Sequence, residues 1–166
     1  MALEQELAAL HERSFGWALT CCRRDREQAR EVLQIAYFKV LSGRARFDER
    51  STFKTWLFGV IRLTAMEERR WRWFRPSTDV GDTVVADDPS PSSNAAERQI
   101  AEALGKALGE LAPRQREVLH LVFYEGQTVR EAAAVMGVST GTASLHYDRG
   151  KARLLQILTA RGVTLR

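Results

Sequence analysis

The chain has 166 residues, of which 45% are hydrophobic and 28% charged, a composition typical of a globular protein. Its formal net charge of +4 divides into +5 for residues 1–75, −4 for residues 76–94 and +3 for residues 95–166. No apolar run reaches the roughly 18 residues that span a bilayer, and the N-terminus is acidic where a signal peptide is basic. We therefore expect a cytoplasmic protein without a membrane span. The two basic blocks suit an anionic partner such as nucleic acid, although a solvated basic surface explains the charge equally well.

Three helices are predicted in the N-terminal block, over residues 2–22, 25–42 and 52–74. The first carries Leu3, Leu7 and Leu10 along one side. The second has the clearest pattern, with apolar residues at the i, i+3, i+4, i+7 spacing of a helix face. These residues are Ala29, Val32, Leu33, Ala36, Tyr37, Val40 and Leu41. The third is expected to begin after Ser51 as its N-cap and to end in the sequence ERRWRWFR.

Residues 76–94 have the composition of a linker. They hold three of the four prolines, many Ser and Asp residues and no basic residue. Such a segment cannot bury enough apolar surface to order itself. The sequence therefore predicts two lobes, residues 1–75 and 95–166, which fold separately and are joined by a flexible acidic linker over 76–94.

Four more helices are predicted in the C-terminal block. The first covers residues 95–111, and Pro113 suits the first turn of the second. Thr128 and Glu131 form a capping box for a short third helix that ends at Gly137. Ser139 then caps a long last helix to about residue 160. Strand patterns are nearly absent, so the fold class is all-α.

The segment 129–148 fits a helix-turn-helix, in which a small residue lies where two helices cross and a glycine makes the turn. An ordinary corner between two helices is the alternative. On the last helix, small, polar and basic residues face outward, where they suit base edges and phosphates of a major groove. The candidate DNA-binding residues on this face are Ser144, Leu145, Asp148, Arg149, Lys151 and Arg153.

Two surfaces of the N-terminal block also indicate binding. At the end of the third helix, Arg69 and Arg70 are interleaved with Trp71 and Trp73, a combination suited to phosphate contact and base stacking.

On the second helix, one face opposite the apolar stripe is partly apolar and suits docking against a partner helix. That face comprises Glu31, Gln34, Ile35 and Phe38. The alternative is that its apolar members pack within their own domain.

Two stretches together resemble one known family. LAPRQREVLHLVFYEGQTVREAAAVMGVSTGTASLHYDRGKARL is similar to region 4 of the sigma-70 family. REVLQIAYFKVLSGRARFDERSTFKTWLFGVIR is similar to region 2 of its extracytoplasmic-function (ECF, group IV) branch. The layout of region 2, linker and region 4, without regions 1.1 or 3, is that of this branch.

The resemblance implies an initiation factor that binds core RNA polymerase and directs promoter recognition, promoter melting and transcription initiation. Region 2 would dock on the clamp coiled coil through the face at 31–38, and region 4 on the flap. The last helix would read the minus-35 element. The minus-10 element would be contacted by Arg62, Leu63, Arg69, Arg70, Trp71 and Trp73. An anti-sigma factor is an expected partner, and no metal or cofactor is expected.

Two other functional classes compete with this interpretation. A stand-alone helix-turn-helix activator would explain residues 113–160 but not the N-terminal block. An enzyme is not expected, because His11, His120 and His146 are scattered and no nucleophile–base spacing or phosphate loop occurs. The adjacent Cys21 and Cys22 have poor geometry for a disulfide, and we expect them to be buried as small apolar residues.

Overall fold

The protein is described by a computed structural model that covers residues 2–74 and 94–163, and every regular element in those ranges is helical. The N-terminal lobe (residues 2–74) contains α1 (Ala2–Ala9), α2 (His11–Cys21), α3 (Arg26–Leu41) and α4 (Phe53–Phe74). The C-terminal lobe (residues 94–163) contains α5 (Ala95–Gly109), α6 (Pro113–Leu119), a π-helical segment (His120–Tyr124), α7 (Val129–Met136) and α8 (Thr140–Ala160). The predicted all-α fold is confirmed. The linker predicted over 76–94 lies, except for its last residue, outside the described residues.

The N-terminal lobe is organised around the face of α3 that the apolar periodicity predicted. Asp25 caps this helix by accepting a hydrogen bond from the Gln28 N–H at 3.1 Å. The core residues that α3 contributes are Ala29, Val32, Leu33, Ala36 and Val40. They pack against α2 and α4, whose largest buried side chains are Trp17 and Phe58. The side chain of Leu41, by contrast, is 52% exposed, because it lies at the last residue of the helix.

Two details of the N-terminal lobe differ from the sequence prediction. The helix predicted over 2–22 is two helices, because Leu10 departs from helical geometry with ψ at 3°. The bend separates α1 from α2 while Leu7 remains buried and Leu10 packs against the core. The N-cap of α4 is Thr52 rather than Ser51. The Thr52 side-chain oxygen accepts from the Thr55 N–H at 3.2 Å, whereas the Ser51 hydroxyl donates to the Thr52 carbonyl.

The helix that starts at Pro113 does not continue as an α-helix to Tyr124. After Leu119 it widens into the π-helical segment, and the Glu125 N–H donates to the His120 carbonyl at 3.1 Å. π-helical turns of this kind occur frequently at functional sites. Here the wider turn leaves Phe123 and Tyr124 exposed while Leu121 stays in the core.

The two lobes share one hydrophobic core, whereas the sequence predicted two lobes that fold separately. α4 packs along α7, and α2 contacts α6. Side chains of both lobes therefore belong to a single buried cluster, in which the C-terminal lobe is represented by Val118, Leu121, Ala132, Val135 and Met136. A second, smaller cluster fixes α5 and α6 on α8 within the C-terminal lobe. The C-terminal lobe is thus held on the N-terminal lobe by apolar burial, the dominant favourable term in protein folding.

Candidate nucleic-acid interface

The helix-turn-helix is formed by α7 and α8, which meet at Gly137. This glycine has φ 67° and ψ 33°, the left-handed conformation that a residue without Cβ adopts most readily. Both helices begin at the predicted caps: Thr128 accepts from the Glu131 N–H and Ser139 from the Thr142 N–H, each at 3.1 Å. The sharp turn leaves one whole side of α8 facing solvent.

Five of the six residues that the sequence assigned to the outer face of α8 are exposed there. Ala143 and Gly150 are buried against the rest of the lobe, and Ser144 is half-buried. The ammonium of Lys151 lies 5.0 Å from the centre of the Tyr147 ring, within the range of a cation–π contact. The exposed members of the predicted set are Leu145, Asp148, Arg149, Lys151 and Arg153. These groups can hydrogen-bond base edges, contact a thymine methyl group and bind phosphate.

The C-terminal end of α4 exposes large aromatic side chains. Trp71, Trp73 and Phe74 are 61%, 85% and 77% exposed. A shallow hollow of about 440 Å³ lies beside them, lined by Met66, Arg69, Arg70, Trp73 and Phe74. Exposed aromatic rings next to arginines can stack on unpaired bases while the guanidinium groups bind the strand's phosphates.

Arg62 is not exposed, in contrast to the other candidate minus-10 residues. Its side chain is buried, and its Nε donates to the Glu117 Oε2 of the C-terminal lobe at 2.9 Å. Leu63, the next residue on α4, points the other way and is 57% exposed. In this arrangement of the lobes Arg62 cannot contact DNA, so the predicted contact requires the two lobes to separate.

The candidate polymerase-docking face lies on α3, away from the shared core. Phe38 is 58% exposed, Ile35 is half-buried and Gln34 is exposed. Glu31 is held by Arg72 of α4, whose Nη2 donates to its carboxylate at 2.9 Å. The apolar part of this face is therefore open to a partner, and its acidic end is fixed by α4.

The two cysteines are buried, as the sequence predicted. Burial raises the pKa of Cys22 to about 12, and burial together with the nearby Glu117 raises the pKa of Cys21 well above its usual value. Because the thiolate is the reactive form, neither thiol is activated toward oxidants in this arrangement.

A group of polar contacts between the lobes was not anticipated from the sequence. Lys54 of α4 forms an ion pair with Glu125 at 2.8 Å, and the Thr20 hydroxyl lies 3.0 Å from Nδ1 of His120. Burial acts to raise the pKa of Glu125, but His120 and the hydrogen bond from Lys54 lower it below its ordinary value. Glu125 is therefore an ionised carboxylate at neutral pH, held against a basic residue of the other lobe.

Within residues 2–74 and 94–163, no group of three or more His, Cys, Asp or Glu residues is placed to hold a metal ion. Over the same ranges, no helix has the length and apolar character needed to cross a membrane.

Comparison with known proteins matches each lobe to a part of one family. Residues 8–75 match the model for sigma-70 region 2, and residues 98–154 match the model for sigma-70 region 4. The RNA polymerase sigma factor CnrH of Cupriavidus metallidurans is 31% identical over 140 residues, which cover 78% of this chain and 73% of that protein. The sigma factor CarQ of Myxococcus xanthus is 27% identical over 93% of this chain and 88% of its own length.

Solved structures agree with the arrangement of the helices. The sigma factor RpoE of Bartonella quintana, crystallised with the anti-sigma factor NepR, superposes with a TM-score of 0.76 at 25% identity and covers 94% of this chain and 96% of its own. CnrH in complex with the cytosolic domain of CnrY gives a TM-score of 0.65 at 24% identity, which is evidence for the shared fold.

A two-lobed helical protein whose C-terminal lobe carries a helix-turn-helix and whose N-terminal lobe matches region 2 is a transcription initiation factor of the sigma class. The chain belongs to the sigma-70 family, in its extracytoplasmic-function branch. It binds RNA polymerase and directs promoter-specific initiation. The stand-alone activator is not favoured, because the N-terminal lobe has a defined place in this family. Members of the family are initiation factors without catalytic activity of their own.

Proposed function

We propose that the outer face of α8 reads the duplex minus-35 element. The observation that carries this proposal is the exposure of Asp148 and Arg149 side by side on the second helix of the helix-turn-helix. An arginine on such a helix takes guanine or phosphate. An aspartate near a duplex is repelled by phosphate and is tolerated mainly where it accepts from a cytosine amine. Ser144, Leu145, Lys151 and Arg153 flank this pair on the same helix.

Arg149→Ala and Asp148→Ala are expected to affect minus-35 recognition in different ways. If Arg149 binds guanine, Arg149→Ala reduces the binding free energy by about 1–3 kcal/mol, and the loss depends on the base pair at one position. If Arg149 binds phosphate instead, the variant weakens binding to all sequences by the same amount. Asp148→Ala is expected to relax the preference at one position without weakening binding in general. The measurement is holoenzyme binding to a set of fragments that carry each single substitution in the minus-35 element.

A matched control is Arg98→Ala, which removes the same exposed charge from α5, away from the outer face of α8. We expect this variant to keep the native base preference at every position of the minus-35 element. An unchanged minus-35 preference in both α8 variants would place the reading surface elsewhere in the molecule.

For the minus-10 element we propose the C-terminal half of α4. Arg69 and Arg70 supply positive charge next to Trp71 and Trp73, and Leu63 adds an exposed apolar group about two turns before them. Stacking on aromatic side chains contributes about 1–3 kcal/mol per base and works for every base. This surface therefore suits the strand that separates when the promoter opens, and Arg62 joins it when the lobes part.

We further propose that the α3 face docks on the clamp coiled coil of core polymerase and that the C-terminal lobe docks on the flap. Ile35 and Phe38 supply the apolar contact, with Gln34 and Glu31 as the polar edge. Apolar anchors at helical spacing are the usual way in which a helix face binds a partner helix.

Ile35→Asp combined with Phe38→Ala is expected to weaken binding to core polymerase by about 10- to 100-fold. Truncating a central apolar side chain of an interface typically reduces the binding free energy by about 2 kcal/mol or more. The measurement is a titration of labelled protein with core enzyme. Helical circular dichroism and the melting temperature should remain near those of the native protein.

Trp73→Ala is the control for this experiment, because Trp73 is also strongly exposed, at 85%, and lies on the α4 surface proposed to contact DNA rather than polymerase. Its affinity for core polymerase should stay within about twofold of the native value, as for surface substitutions in general. A large loss of thermal stability in the double variant would show instead that Ile35 and Phe38 are core residues.

An anti-sigma factor is the proposed regulatory partner. The relatives RpoE and CnrH are each seen bound to a partner, the anti-sigma factor NepR in one case and the cytosolic domain of CnrY in the other. A protein that works on polymerase and promoter DNA is expected to act in the cytoplasm. Co-purification from the native host under non-inducing conditions tests the proposal for this chain.

A further inference from the structure

Arginine side chains converge at the place where α2 and α5 end. Arg23 and Arg24 follow the last turn of α2, and both have left-handed backbone conformations, with φ at 54° and 65°. The Arg24 guanidinium lies against α5, in the space that a Cβ on Gly105 would fill. Because glycine has no Cβ, the charged group can approach the α5 backbone closely.

A second guanidinium group is held one turn further along α5. Arg116 of α6 donates to the carbonyls of Leu108 and Leu111, near the C-terminus of α5, at 3.1 and 3.0 Å. Leu108 comes three residues after Gly105, so the two positions are neighbours on the same side of the helix. The end of α5 therefore receives Arg24 from one direction and Arg116 from another.

Arg69 completes the group from the side of α4. Its Nη2 donates to the Cys21 carbonyl at the end of α2, two residues before Arg23. Burial and the positive charges of the three other arginines lower the pKa of Arg116 below its ordinary value. The four guanidinium groups are therefore close enough to repel one another. We call them the arginine cluster, which comprises Arg23, Arg24, Arg69 and Arg116.

The carboxylates next to the cluster in sequence are engaged by other groups. Glu117, which follows Arg116, is paired with Arg62 at 2.9 Å. Asp25, which follows Arg24, caps α3. Like charges held together raise the free energy of the folded chain, and an anion bound among them would lower it.

We propose that the arginine cluster is a binding site for a compact anion that carries one or more phosphate groups. A guanidinium is a planar fork of five N–H donors, so the two hydrogen bonds from Arg116 to α5 leave donors for phosphate oxygens. Arg24 and Arg116 are half-buried between the ends of two helices, which suits a small ligand better than an extended strand. The site goes beyond the promoter surfaces proposed above, with which it shares Arg69.

The test uses the full chain without polymerase and inorganic pyrophosphate as the probe, in magnesium-free buffer at constant ionic strength. Isothermal titration calorimetry measures the affinity and the stoichiometry. The melting temperature is an independent readout, because a ligand that binds the folded state raises it. We expect saturable binding of one pyrophosphate per chain and a higher melting temperature than in sodium chloride of equal ionic strength.

Two variants disturb the site in different ways. Arg23→Gly removes an exposed guanidinium and relieves a left-handed conformation, so the ligand-free variant should be about as stable as the native protein. Gly105→Ala adds a Cβ that displaces the flexible end of the Arg24 side chain while the net charge stays the same. Each variant should weaken pyrophosphate binding about tenfold, the effect of losing one hydrogen bond to a charged group.

Arg50→Gln is the matched control for charge. Arg50 is exposed in the loop before α4 and pairs with Asp48 at 3.5 Å. It lies at the opposite end of α4 from Arg69, roughly 20 Å or more away at 1.5 Å per residue. This variant should keep the native affinity for pyrophosphate. Circular dichroism checks the fold of each variant, and either site variant alone decides the test.

Three results would overturn the proposal. The first is the absence of saturable pyrophosphate binding at constant ionic strength. The second is an equal loss of affinity in Arg50→Gln, which would mean that overall charge attracts the anion. The third comes from a parallel titration with labelled single-stranded DNA. If Arg23→Gly weakens the DNA complex tenfold and the native protein does not bind pyrophosphate, the cluster extends the promoter surface, and the minus-10 proposal stands without a small-ligand site.

Discussion

Trp17→Ala is expected to lower the free energy of unfolding by about 3–5 kcal/mol, the range for removing a large aromatic side chain from a core. Trp17 has no exposed surface, and its ring stacks on Phe58 with the ring centres 5.8 Å apart. Its Nε1 also donates to the Phe58 carbonyl at 2.9 Å. A loss of this size is a large part of the 5–15 kcal/mol that stabilises a typical domain.

The effect should extend to both lobes, because Trp17 also lies against the ring of His120 in the C-terminal lobe, with 5.4 Å between centres. The measurement is chemical denaturation followed by circular dichroism, together with hydrogen exchange of peptides from residues 95–160. We expect one transition at lower denaturant concentration and faster exchange in both lobes.

Trp73→Ala is the matched control for this prediction. It makes the same substitution at a side chain that is 85% exposed, so stability should change by no more than about 0.5 kcal/mol. If Trp17→Ala unfolds residues 2–74 while the exchange of the C-terminal lobe stays native, the lobes are independent, as the sequence alone predicted.

Most of the elements that local patterns control were predicted correctly from the sequence; the exceptions are the break at Leu10 and the N-cap of α4. The apolar stripe of α3, the capping residues Thr128 and Ser139 and the glycine turn at Gly137 depend on residues within one or two helical turns of each other. Such signals also identified the outer face of α8, because the buried side of a helix fixes its opposite side.

The contact between the lobes could not be predicted from the same signals. Arg62 and its partner are 55 residues apart, and periodicity shows which face of a helix is buried but not what covers it. One signal was available. Arg62 lies four residues after Phe58 and three before Ala65, and Glu117 lies four before Leu121, so each charge sits within an apolar stripe. A charged residue in a buried stripe requires a partner of opposite charge.

The contact geometry also explains why Arg62 differs from the rest of its predicted set. Arg69 lies two turns further along α4, where the C-terminal lobe no longer covers the helix, and its Nη2 donates to the Cys21 carbonyl at 2.6 Å. That carbonyl lies at the C-terminus of α2, where a positive charge is favoured. The α4 surface is therefore anchored at one end by α2 and closed at the other by the C-terminal lobe.

Core polymerase is expected to convert this protein from a poor sequence-specific DNA binder into a good one. The two lobes carry only +5 and +3 formal charges, so each alone is expected in the range of non-specific binding, with Kd about 10⁻⁴–10⁻⁶ M. In the closed arrangement Arg62 is unavailable to DNA, while the outer face of α8 remains exposed. We therefore expect the free protein to prefer a promoter fragment over a scrambled one by less than about tenfold, whereas specific complexes reach 10³-fold or more.

Docking the two lobes on one large enzyme would fix the distance between the two DNA-binding surfaces, which is not fixed for promoter binding in the free protein. It would hold the outer face of α8 and the exposed C-terminal half of α4 at a fixed separation, so that binding of one promoter element makes binding of the other intramolecular. It would also present Arg62 and Trp73 to the strand as it opens. The measurement is a titration of a mapped promoter fragment, with and without core enzyme, beside a fragment with both elements scrambled and at one fixed salt concentration. If the isolated protein and the holoenzyme prefer the promoter fragment over the scrambled one to the same degree, polymerase contributes nothing to promoter selection. The protein would then be better described as a stand-alone activator.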